Sequence, residues 1–355
     1  MAGNSFGTAF RITTFGESHG ISVGVIVDGV PPGISLSETD IQPDMDRRKP
    51  GQSDMTSPRK ESDTVTITSG VFEGRTTGTP LMIMLQNTNT ISSDYNDVMD
   101  KYRPGHADYT YQKKYGIRDW RGSGRASGRE TAARVAAGAV AKKILAAQGI
   151  SLQAYTLAAA GIVCEKYIPE QIESNSMRAC DPDAALKMKA IVEQLIKEGN
   201  SAGGIVECRI KGVSPGLGEP VFDKLEADLA KGIMSIGAVK GFEIGEGFAC
   251  AHMKGSQHND AMNAKGFLTN HAGGISGGIS TGQEIIFRAA VKPTASISSL
   301  QHSIDLNGNE TEIRTKGRHD PIICPRIIPV MEAMAAIVLC DHLLRLNAQR
   351  SLQQS

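Results

Sequence analysis

An acid, a hydroxyl and an imidazole stand side by side near the amino terminus, in the stretch Gly-Glu-Ser-His-Gly that runs from Gly16 to Gly20. A β-hairpin needs only turn residues such as Asn-Gly, so Glu17, Ser18 and His19 are more than a turn requires. Imidazole titrates near neutral pH and can donate a proton to a leaving group. From these residues alone, acid–base chemistry and a polar surface loop with an incidental histidine are equal alternatives.

Arginines and glycines cluster before an alanine-rich stretch, between residues 102 and 143. Such a cluster at the start of a helix forms a natural anion site, because arginine offers forked donors to phosphate and carboxylate groups. The spacing is neither a dinucleotide-binding fingerprint nor a Walker loop. Ser127 and Glu130 have the spacing of a capping box, so a capped helix start without a ligand is the alternative. The cluster consists of Arg103, Arg118, Arg121, Arg125, Arg129 and Arg134, with Gly122, Gly124 and Gly128.

Four other stretches could bind a ligand or be plain loops. The basic run at 46–51 would by itself be a solvated surface. Residues 270–282 contain two Gly-Gly pairs, which suit a backbone that approaches a flat ligand or another chain, or a flexible loop. Residues 292–299 offer one cation and several hydroxyls for a ligand, and a plain turn is the alternative. Residues 316–321 place an Arg-His-Asp triplet before a helix, and there the alternative is an aspartate that only caps the helix. No His-Glu-x-x-His or clustered Cys/His pattern occurs, so no metal site is predicted.

The elements that must position these residues alternate irregularly. Period-two stretches predict strands with one wet face, and therefore antiparallel sheets, at 10–14, 21–28, 64–68, 81–85, 205–213 and 285–291. Helices are predicted at 129–148, from 182 to a stop at Gly199, at 222–231, and at 327–346 with one buried face. Because strands and helices do not alternate regularly, a doubly wound parallel sheet is not expected and the fold class is α+β. No linker composition divides the chain, so one domain over 1–355 is predicted.

The composition excludes several classes of protein. The 355 residues carry 38 basic and 38 acidic side chains, which argues against a general nucleic-acid binder. Six cysteines without a C-x-x-C pair predict reduced, mostly buried thiols of a cytoplasmic protein. The first residues lack an apolar signal core, and no uncharged apolar run reaches about 18 residues, so no membrane span is predicted. The residues therefore predict a soluble α+β enzyme with an anionic, phosphorylated substrate.

Five of the stretches, in this order, resemble the chorismate synthase family. They are GESHGISVGVIVDGVPPG, RPGHADYTY, GRASGRETAARVAAGA, NHAGGISGGIS, and RHDP followed by EAMAAIVL. Any one would be weak, but five in order, from Phe15 to nearly the last residue, are specific. The resemblance implies a β-α-β sandwich, with helices between antiparallel sheets, assembled as a homotetramer. It also implies conversion of 5-enolpyruvylshikimate 3-phosphate to chorismate and phosphate by anti-1,4-elimination, using reduced FMN without net redox change.

The resemblance also implies residue roles. His19 would protonate the leaving phosphate, positioned by Ser18, and His106 would protonate the reduced flavin near N1. Asp320 would help flavin N5 act as the base at C6, and Ser127 would be catalytic as well. The substrate would be bound by Arg48, Arg103 and Arg129, and FMN by Arg125, Ala126, Ser127, Gly237, Ala238, Gly277, Lys292, Pro293, Thr294, Ala295, Ser296 and Arg318.

Two departures from the family pattern and two rival functions complete the sequence-based interpretation. Asp54 replaces a usual arginine, which removes a cation there, and Gly237 replaces a usual asparagine, which leaves only a backbone contact to flavin. An NAD(P)H-dependent flavin reductase activity is not predicted, because no dinucleotide fingerprint occurs, so an external reductant would supply reduced flavin. A non-catalytic flavin- or phosphometabolite-binding protein would not need His19, His106 and Asp320 together.

Overall fold

The computed structural model describes residues 3–53, 55–56, 61–88, 92–315 and 319–350. The strands are β1 (Ser5–Phe6), β2 (Arg11–Gly16), β3 (Ser22–Asp28), β4 (Val65–Ser69), β5 (Val71–Phe72), β6 (Arg75–Thr76), β7 (Leu81–Gln86), β8 (Ser151–Ala159), β9 (Ile162–Val163), β10 (Gly204–Lys211), β11 (Val239–Ile244), β12 (Met262–Asn263), β13 (Gly266–Phe267), β14 (Ile275–Ser276), β15 (Ile279–Ser280), β16 (Ile285–Val291), β17 (Gln301–Ile304) and β18 (Glu310–Ile313). The helices are α1 (Glu38–Arg48), α2 (Asp108–Tyr115), α3 (Thr131–Ala146), α4 (Pro182–Lys197), α5 (Leu225–Met234), α6 (Gly255–His258) and α7 (Cys324–Arg350). Short 3-10 segments cover Ser92–Val98, Gly124–Ala126, Gly128–Glu130, Pro169–Ser174 and Gly247–His252.

Two five-stranded antiparallel sheets enclose the long helices. The first sheet has the order β1-β2-β3-β7-β4 and the second the order β11-β16-β10-β8-β9. Helix α3 packs against the first sheet and against α7, and α7 packs against β8 and β10 of the second sheet. Apolar side chains of both sheets and of the helices between them share one buried cluster. The predicted α+β class, with helices between antiparallel sheets, is confirmed, whereas a single domain over 1–355 stays a prediction.

Two helices begin later than the sequence pattern predicts. Helix α5 begins at Leu225 rather than at 222, because Phe222 is 90% exposed and belongs to the preceding loop. Helix α3 begins at Thr131, after a 3-10 turn that carries Arg129. The capping box is only half formed. Ser127 Oγ accepts the backbone N–H of Arg129 (3.3 Å), but the Glu130 carboxylate instead accepts from Arg134 (3.0 Å) and from the Thr14 hydroxyl (3.2 Å).

Helix α7 is buried on all sides, and the prediction of one buried face was wrong. Its residues from Ile327 to Leu343 are all buried, because α3 and α5 cover the helix on one side and the second sheet covers it on the other. By length and composition α7 is apolar enough to cross a membrane, but 94% of its most apolar window is buried inside the fold. The helix is therefore the core of the sandwich.

The cysteines are free thiols, as the sequence predicts. Cys164 is half-buried, Cys250 is exposed, and the buried ones are Cys180, Cys208, Cys324 and Cys340.

A buried carboxylate on α7 joins three helices and a strand. Glu332 is 2% exposed and accepts hydrogen bonds from Arg47 of α1 (2.6 Å), Lys142 of α3 (2.7 Å) and the backbone N–H of Ala154 in β8 (3.0 Å). Burial alone raises the pKa of a carboxyl, but the charges of Lys142 and Arg47 outweigh it and lower the pKa of Glu332 to about 2. Glu332 is thus ionised at any ordinary pH and holds α1 and α3 against the core.

A second carboxylate of α7 holds the amino-terminal segment. Asp341 Oδ1 accepts three consecutive backbone N–H groups, from Thr8 (2.8 Å), Ala9 (2.6 Å) and Phe10 (2.8 Å). The segment that leads into β2 is therefore fixed by a residue more than 330 positions away along the chain.

We expect Glu332→Gln to reduce the free energy of unfolding by about 1.5–3 kcal/mol, the scale of a charge-assisted hydrogen bond, because it leaves Arg47 with Glu173 and Lys142 with Asp44 as their remaining counter-charges. Since the folded pKa of about 2 lies below the ordinary 4.5, the stabilisation from Glu332 is complete above pH 4.5 and is lost as pH falls through about 2. Urea unfolding at pH 7 and at pH 3 measures both effects.

The matched control is Asp183→Asn, which breaks an exposed ion pair with Lys166 (2.9 Å) and should leave the unfolding free energy nearly unchanged. Equal stability of Glu332→Gln and the wild type at pH 7 would contradict the role assigned to Glu332.

Candidate active site

A cavity of about 870 Å³ opens beside the first turn of α3. Its described lining carries many more cations than anions, and an excess of this kind favours an anionic ligand. The cations are Arg48, Arg103, Arg125, Arg134, Lys231, Lys240, Lys292 and Arg326, and the carboxylates are Glu130 and Asp320.

The basic run at 46–51 is not a solvated surface, contrary to its interpretation from sequence alone. Arg48 is 1% exposed, lies against the cavity, and forms a salt bridge with Asp63, which also binds Arg129. Burial lowers the pKa of Arg48 to about 10, although the charge of Asp63 opposes that shift. Burial likewise raises the pKa of Asp63, but the two arginines outweigh it and lower the value to about 2. The Nε atom of Arg48 is buried and has no hydrogen-bond partner among the described residues.

His106 lines the cavity, and its tautomer follows from its neighbours. Arg103 Nη2 donates its two protons to Asp108 Oδ1 (2.9 Å) and to Ser123 Oγ (2.6 Å). Burial alone raises the pKa of Asp108, but hydrogen bonds from Arg103 and His106 hold it well below its usual range. Asp108 is therefore ionised and accepts the proton on His106 Nδ1, 3.1 Å away. The nitrogen of His106 that can exchange a proton is Nε2.

His19 and Ser18 lie directly behind the cavity wall. Ser18 Oγ donates to the carbonyl oxygen of Gly122 (2.9 Å), so His19 Nδ1, at 3.1 Å, must donate to Ser18 Oγ. This leaves Nε2 of His19 as its exchangeable position. Gly122 and Tyr95 line the cavity, and the His19 ring packs edge-on against Tyr95 with centroids 5.2 Å apart. A Cβ at Gly122, where φ is +66°, would come within 2.1 Å of the His19 ring, so this close approach requires glycine.

The loop that carries His19 is held rigidly between β2 and β3. The side-chain amide of Asn87 donates to the carbonyl oxygens of Glu17 (2.9 Å) and Gly20 (2.8 Å), at the two ends of the loop. The strand boundaries at Gly16 and Ser22 agree with the sequence prediction to within two residues. The structure thus places this loop next to the cavity wall.

The predicted flavin residues separate into three groups. The first lines the cavity and comprises Arg125, Ala126, Ser127, Gly237, Ala238, Lys292, Pro293, Thr294, Ala295 and Ser296. Gly277 lies at the tip of the β14–β15 hairpin, and the described lining does not include it. Arg318 lies outside the described residues, and so does Asp54, the departure from the family pattern noted above.

Of the predicted catalytic and substrate-binding residues, His106, Asp320, Ser127, Arg48 and Arg103 line the cavity. His19, Ser18 and Arg129 lie behind its described lining.

Sequence reasoning missed three charged residues that hold others in place. Asp108 follows His106 by two positions, so its pairing could have been predicted from spacing. Arg326 binds the Asp320 carboxylate (2.6 Å), and it lies six positions further along the chain. Asp63 offered no local signal, because it lies 15 positions from Arg48 and 66 from Arg129.

Comparisons with known proteins agree with one another. The family model described as chorismate synthase matches residues 10–344. The chain is 54% identical over 355 residues to the chorismate synthase of Chloroflexus aurantiacus, a match that covers 99% of this chain and 98% of the relative. It is 55% identical over 358 residues to that of Gloeothece citriformis, covering 98% and 99%. A solved structure titled "Crystal Structure of Chorismate Synthase" superimposes with a TM-score of 0.76 at 32% identity, covering 96% of this chain and 93% of that one.

We expect the pKa of His106 to lie below its ordinary 6.5, because burial and the charges of Arg103 and Lys292 disfavour the imidazolium, while Asp108 opposes them. Asp108→Asn should lower the pKa of His106 further, since the carboxylate no longer stabilises the charged ring. NMR titration of the His106 Cε1 proton measures both values. A higher pKa in a variant with an unchanged circular dichroism spectrum would disprove this account of the pair.

Proposed function

Because this chain belongs to the chorismate synthase family, we propose that its cation-lined cavity is the site of that family's elimination. The protein is a lyase that converts 5-enolpyruvylshikimate 3-phosphate to chorismate and phosphate in the shikimate pathway. The substrate carries a phosphate and two carboxylates. The proposal rests on the charge of the cavity lining, whose described residues include eight cations and two carboxylates.

Reduced FMN is the proposed cofactor, and the residues present fit it. A cavity of about 870 Å³ lies within the range of roughly 300–1,000 Å³ usual for small-molecule and cofactor sites. Gly128 and Gly237 both line it, and nothing stands within 4 Å of where their Cβ atoms would be, so a flat ring can approach the backbone. Residues 125–127, 237–238 and 292–296 would hold the flavin, and Gly277 and Arg318 remain predictions from the family resemblance. When bound, reduced FMN supplies an electron-rich ring that assists phosphate loss and accepts the C6 proton.

The protein's own part is to hold anions and to place protons. Arg48 lines the cavity with a buried Nε that has no partner in the described part of the chain, and we assign it to the anionic groups of the substrate. Arg103 also lines the cavity, and it holds Asp108 and through it His106. We assign Arg129 to the same anion site behind Arg48, with which it shares Asp63.

The proton donors are assigned by their exchangeable atoms. A phosphate dianion leaves poorly unless it is protonated or held by cations, and His19 Nε2 is the proposed donor, with Ser18 fixing the ring. His106 Nε2 is the proposed donor on the flavin side of the cavity. Asp320, fixed by Arg326 and lining the same cavity, is the proposed carboxylate near the base that removes the C6 proton. Ser127 is assigned to the same polar wall.

We also propose a cytoplasmic homotetramer that receives reduced flavin from an external reductant. Large apolar side chains exposed on this chain, such as Ile21, Phe222 and Phe248, support burial against other copies. Sedimentation equilibrium of the purified protein measures the assembly, and a monomer would contradict it.

The proposed function is tested anaerobically with purified protein, 5-enolpyruvylshikimate 3-phosphate, and either reduced or oxidised FMN. We expect phosphate release only with reduced FMN, and the absorbance of the flavin should show that it is still reduced after many turnovers. Equal turnover with oxidised FMN, or one flavin oxidised per product formed, would refute the cofactor role.

We expect His19→Ala to lower turnover by about 10²–10⁴-fold, the usual contribution of a general acid, with substrate and FMN affinities within a few-fold of the wild type. His302→Ala is the matched control, because His302 is 93% exposed on the β17–β18 hairpin and should leave turnover unchanged. Single-turnover kinetics and a melting curve separate loss of chemistry from loss of fold. A stable His19→Ala protein with wild-type chemistry would remove His19 from the mechanism.

A further inference from the structure

We propose that Asp63 is a positioning residue for substrate binding, which sets the geometry of Arg48 and Arg129 without touching the substrate itself. The inference rests on the proposed function, because it takes these two arginines to serve the substrate's anionic groups. Asp63 is buried and the described lining of the cavity does not include it.

Each carboxylate oxygen of Asp63 binds a different arginine. Oδ2 accepts from Arg48 Nη2 at the end of α1, and Oδ1 accepts from Arg129 Nη1 in the turn before α3. The Asp63 backbone has φ +50°, a left-handed conformation that a non-glycine residue adopts only where its surroundings hold it. Gln42 provides one such hold, because its Nε2 donates to the Asp63 carbonyl oxygen (3.3 Å). The carboxylate is therefore fixed, and it fixes both guanidinium groups.

The remaining contacts give the two arginines different roles. Arg129 Nε donates to the side-chain oxygen of Asn87 (2.9 Å), and its Nη2 donates to the carbonyl oxygen of Gln86 (3.3 Å), which commits most of its donors to protein atoms. Arg48 reaches Thr131 and the Gly128 carbonyl only at 3.4–3.5 Å. Its buried Nε has no partner in the described chain, and Arg48 lines the cavity. Arg48 is thus the arginine with donors left for a ligand, and Arg129 supports it from behind.

The charges of the cluster explain why an anion would complete it. Two arginines against one carboxylate leave a net charge of one positive unit in a nearly dry environment. An uncompensated charge there is costly, and a phosphate or carboxylate group of the substrate would neutralise it. Without Asp63, the two guanidinium groups would repel each other, and Arg48 would lose its fixed direction towards the cavity.

A purely structural clamp exists in the same protein and provides a matched control. Glu332 is also a buried carboxylate that binds two cations, and one of them is Arg47, the direct neighbour of Arg48. Neither Arg47 nor Lys142 belongs to the described lining of the cavity. Loss of either carboxylate should weaken the fold, but only loss of Asp63 should change how the substrate binds.

The experiment compares Asp63→Asn, Asp63→Glu and Glu332→Gln with the wild type. Steady-state kinetics are measured anaerobically with reduced FMN, and rates are expressed per folded flavin-binding site. Calorimetry with oxidised FMN measures the dissociation constant of 5-enolpyruvylshikimate 3-phosphate without turnover. For Asp63→Asn we expect KM and the dissociation constant to rise about ten- to a hundredfold with kcat within about threefold, because binding is lost in the ground and transition states alike. Asp63→Glu keeps the charge but moves both arginines, so its KM should also rise. Glu332→Gln should melt at a lower temperature with KM unchanged.

A folded Asp63→Asn or Asp63→Glu protein with wild-type KM and dissociation constant would overturn the proposal. Failure of both variants to fold would assign Asp63 to the fold alone and overturn it equally. A raised KM in Glu332→Gln would show that any buried clamp has this effect and would also refute the specific role. An inactive wild type would instead refute the proposed function, which keeps the two failures distinct.

Discussion

The ion cluster around Glu332 is the contact on which the packing of the sandwich depends. Its carboxylate reaches α1 and α3 through Arg47 and Lys142, and its own helix lies in the middle of the sandwich. Successive residues on a helix point about 100° apart, so when Arg47 is directed at Glu332, Arg48 is directed away from it, towards Asp63 and the cavity. Arg47 therefore binds in the core, whereas its neighbour Arg48 lies against the cavity. Burying charges in the core costs desolvation energy, and here the cations of α1 and α3 offset that cost by pairing with the carboxylate of α7.

The two histidine rings are both oriented by a hydrogen bond from Nδ1, but the partners differ. Each has its Nδ1 proton held by a neighbour, Ser18 for His19 and Asp108 for His106, so in each ring Nε2 is the nitrogen that gains or loses a proton. A hydroxyl partner fixes the orientation of a ring but adds no charge, whereas a carboxylate also stabilises the imidazolium. Both rings are thus oriented by neighbouring side chains of the protein.

Local patterns predicted most of the architecture, because a strand or a helix is decided by near neighbours along the chain. Antiparallel sheets and the positions of the main strands followed from period-two alternation, and most of the cavity wall followed from stretches rich in arginine, glycine and hydroxyl residues. The errors arose where distant packing decides. The pattern in α7 indicated one buried face because sequence spacing does not show that a second sheet covers the other side. The basic run at 46–51 resembled a surface because Asp63 and Glu332, which neutralise it, are distant in sequence. Asp63 itself is one aspartate among many until the fold brings Arg48 and Arg129 to it.

The hydrogen bonds from the backbone of residues 8–10 to Asp341 join the first part of the chain to the last helix. This has a consequence for the order in which the chain folds. Residues 3–6 form part of the cavity wall, and so do Ile327, Val330 and Met334 of α7. A ribosome makes the first segment early and α7 last. A nascent chain can pair the strands of the first sheet as they emerge, but it lacks a complete pocket until α7 has left the exit tunnel. Ligand capture is therefore a property of the finished polypeptide, and a fragment truncated before α7 would be without a core and without a binding site at once.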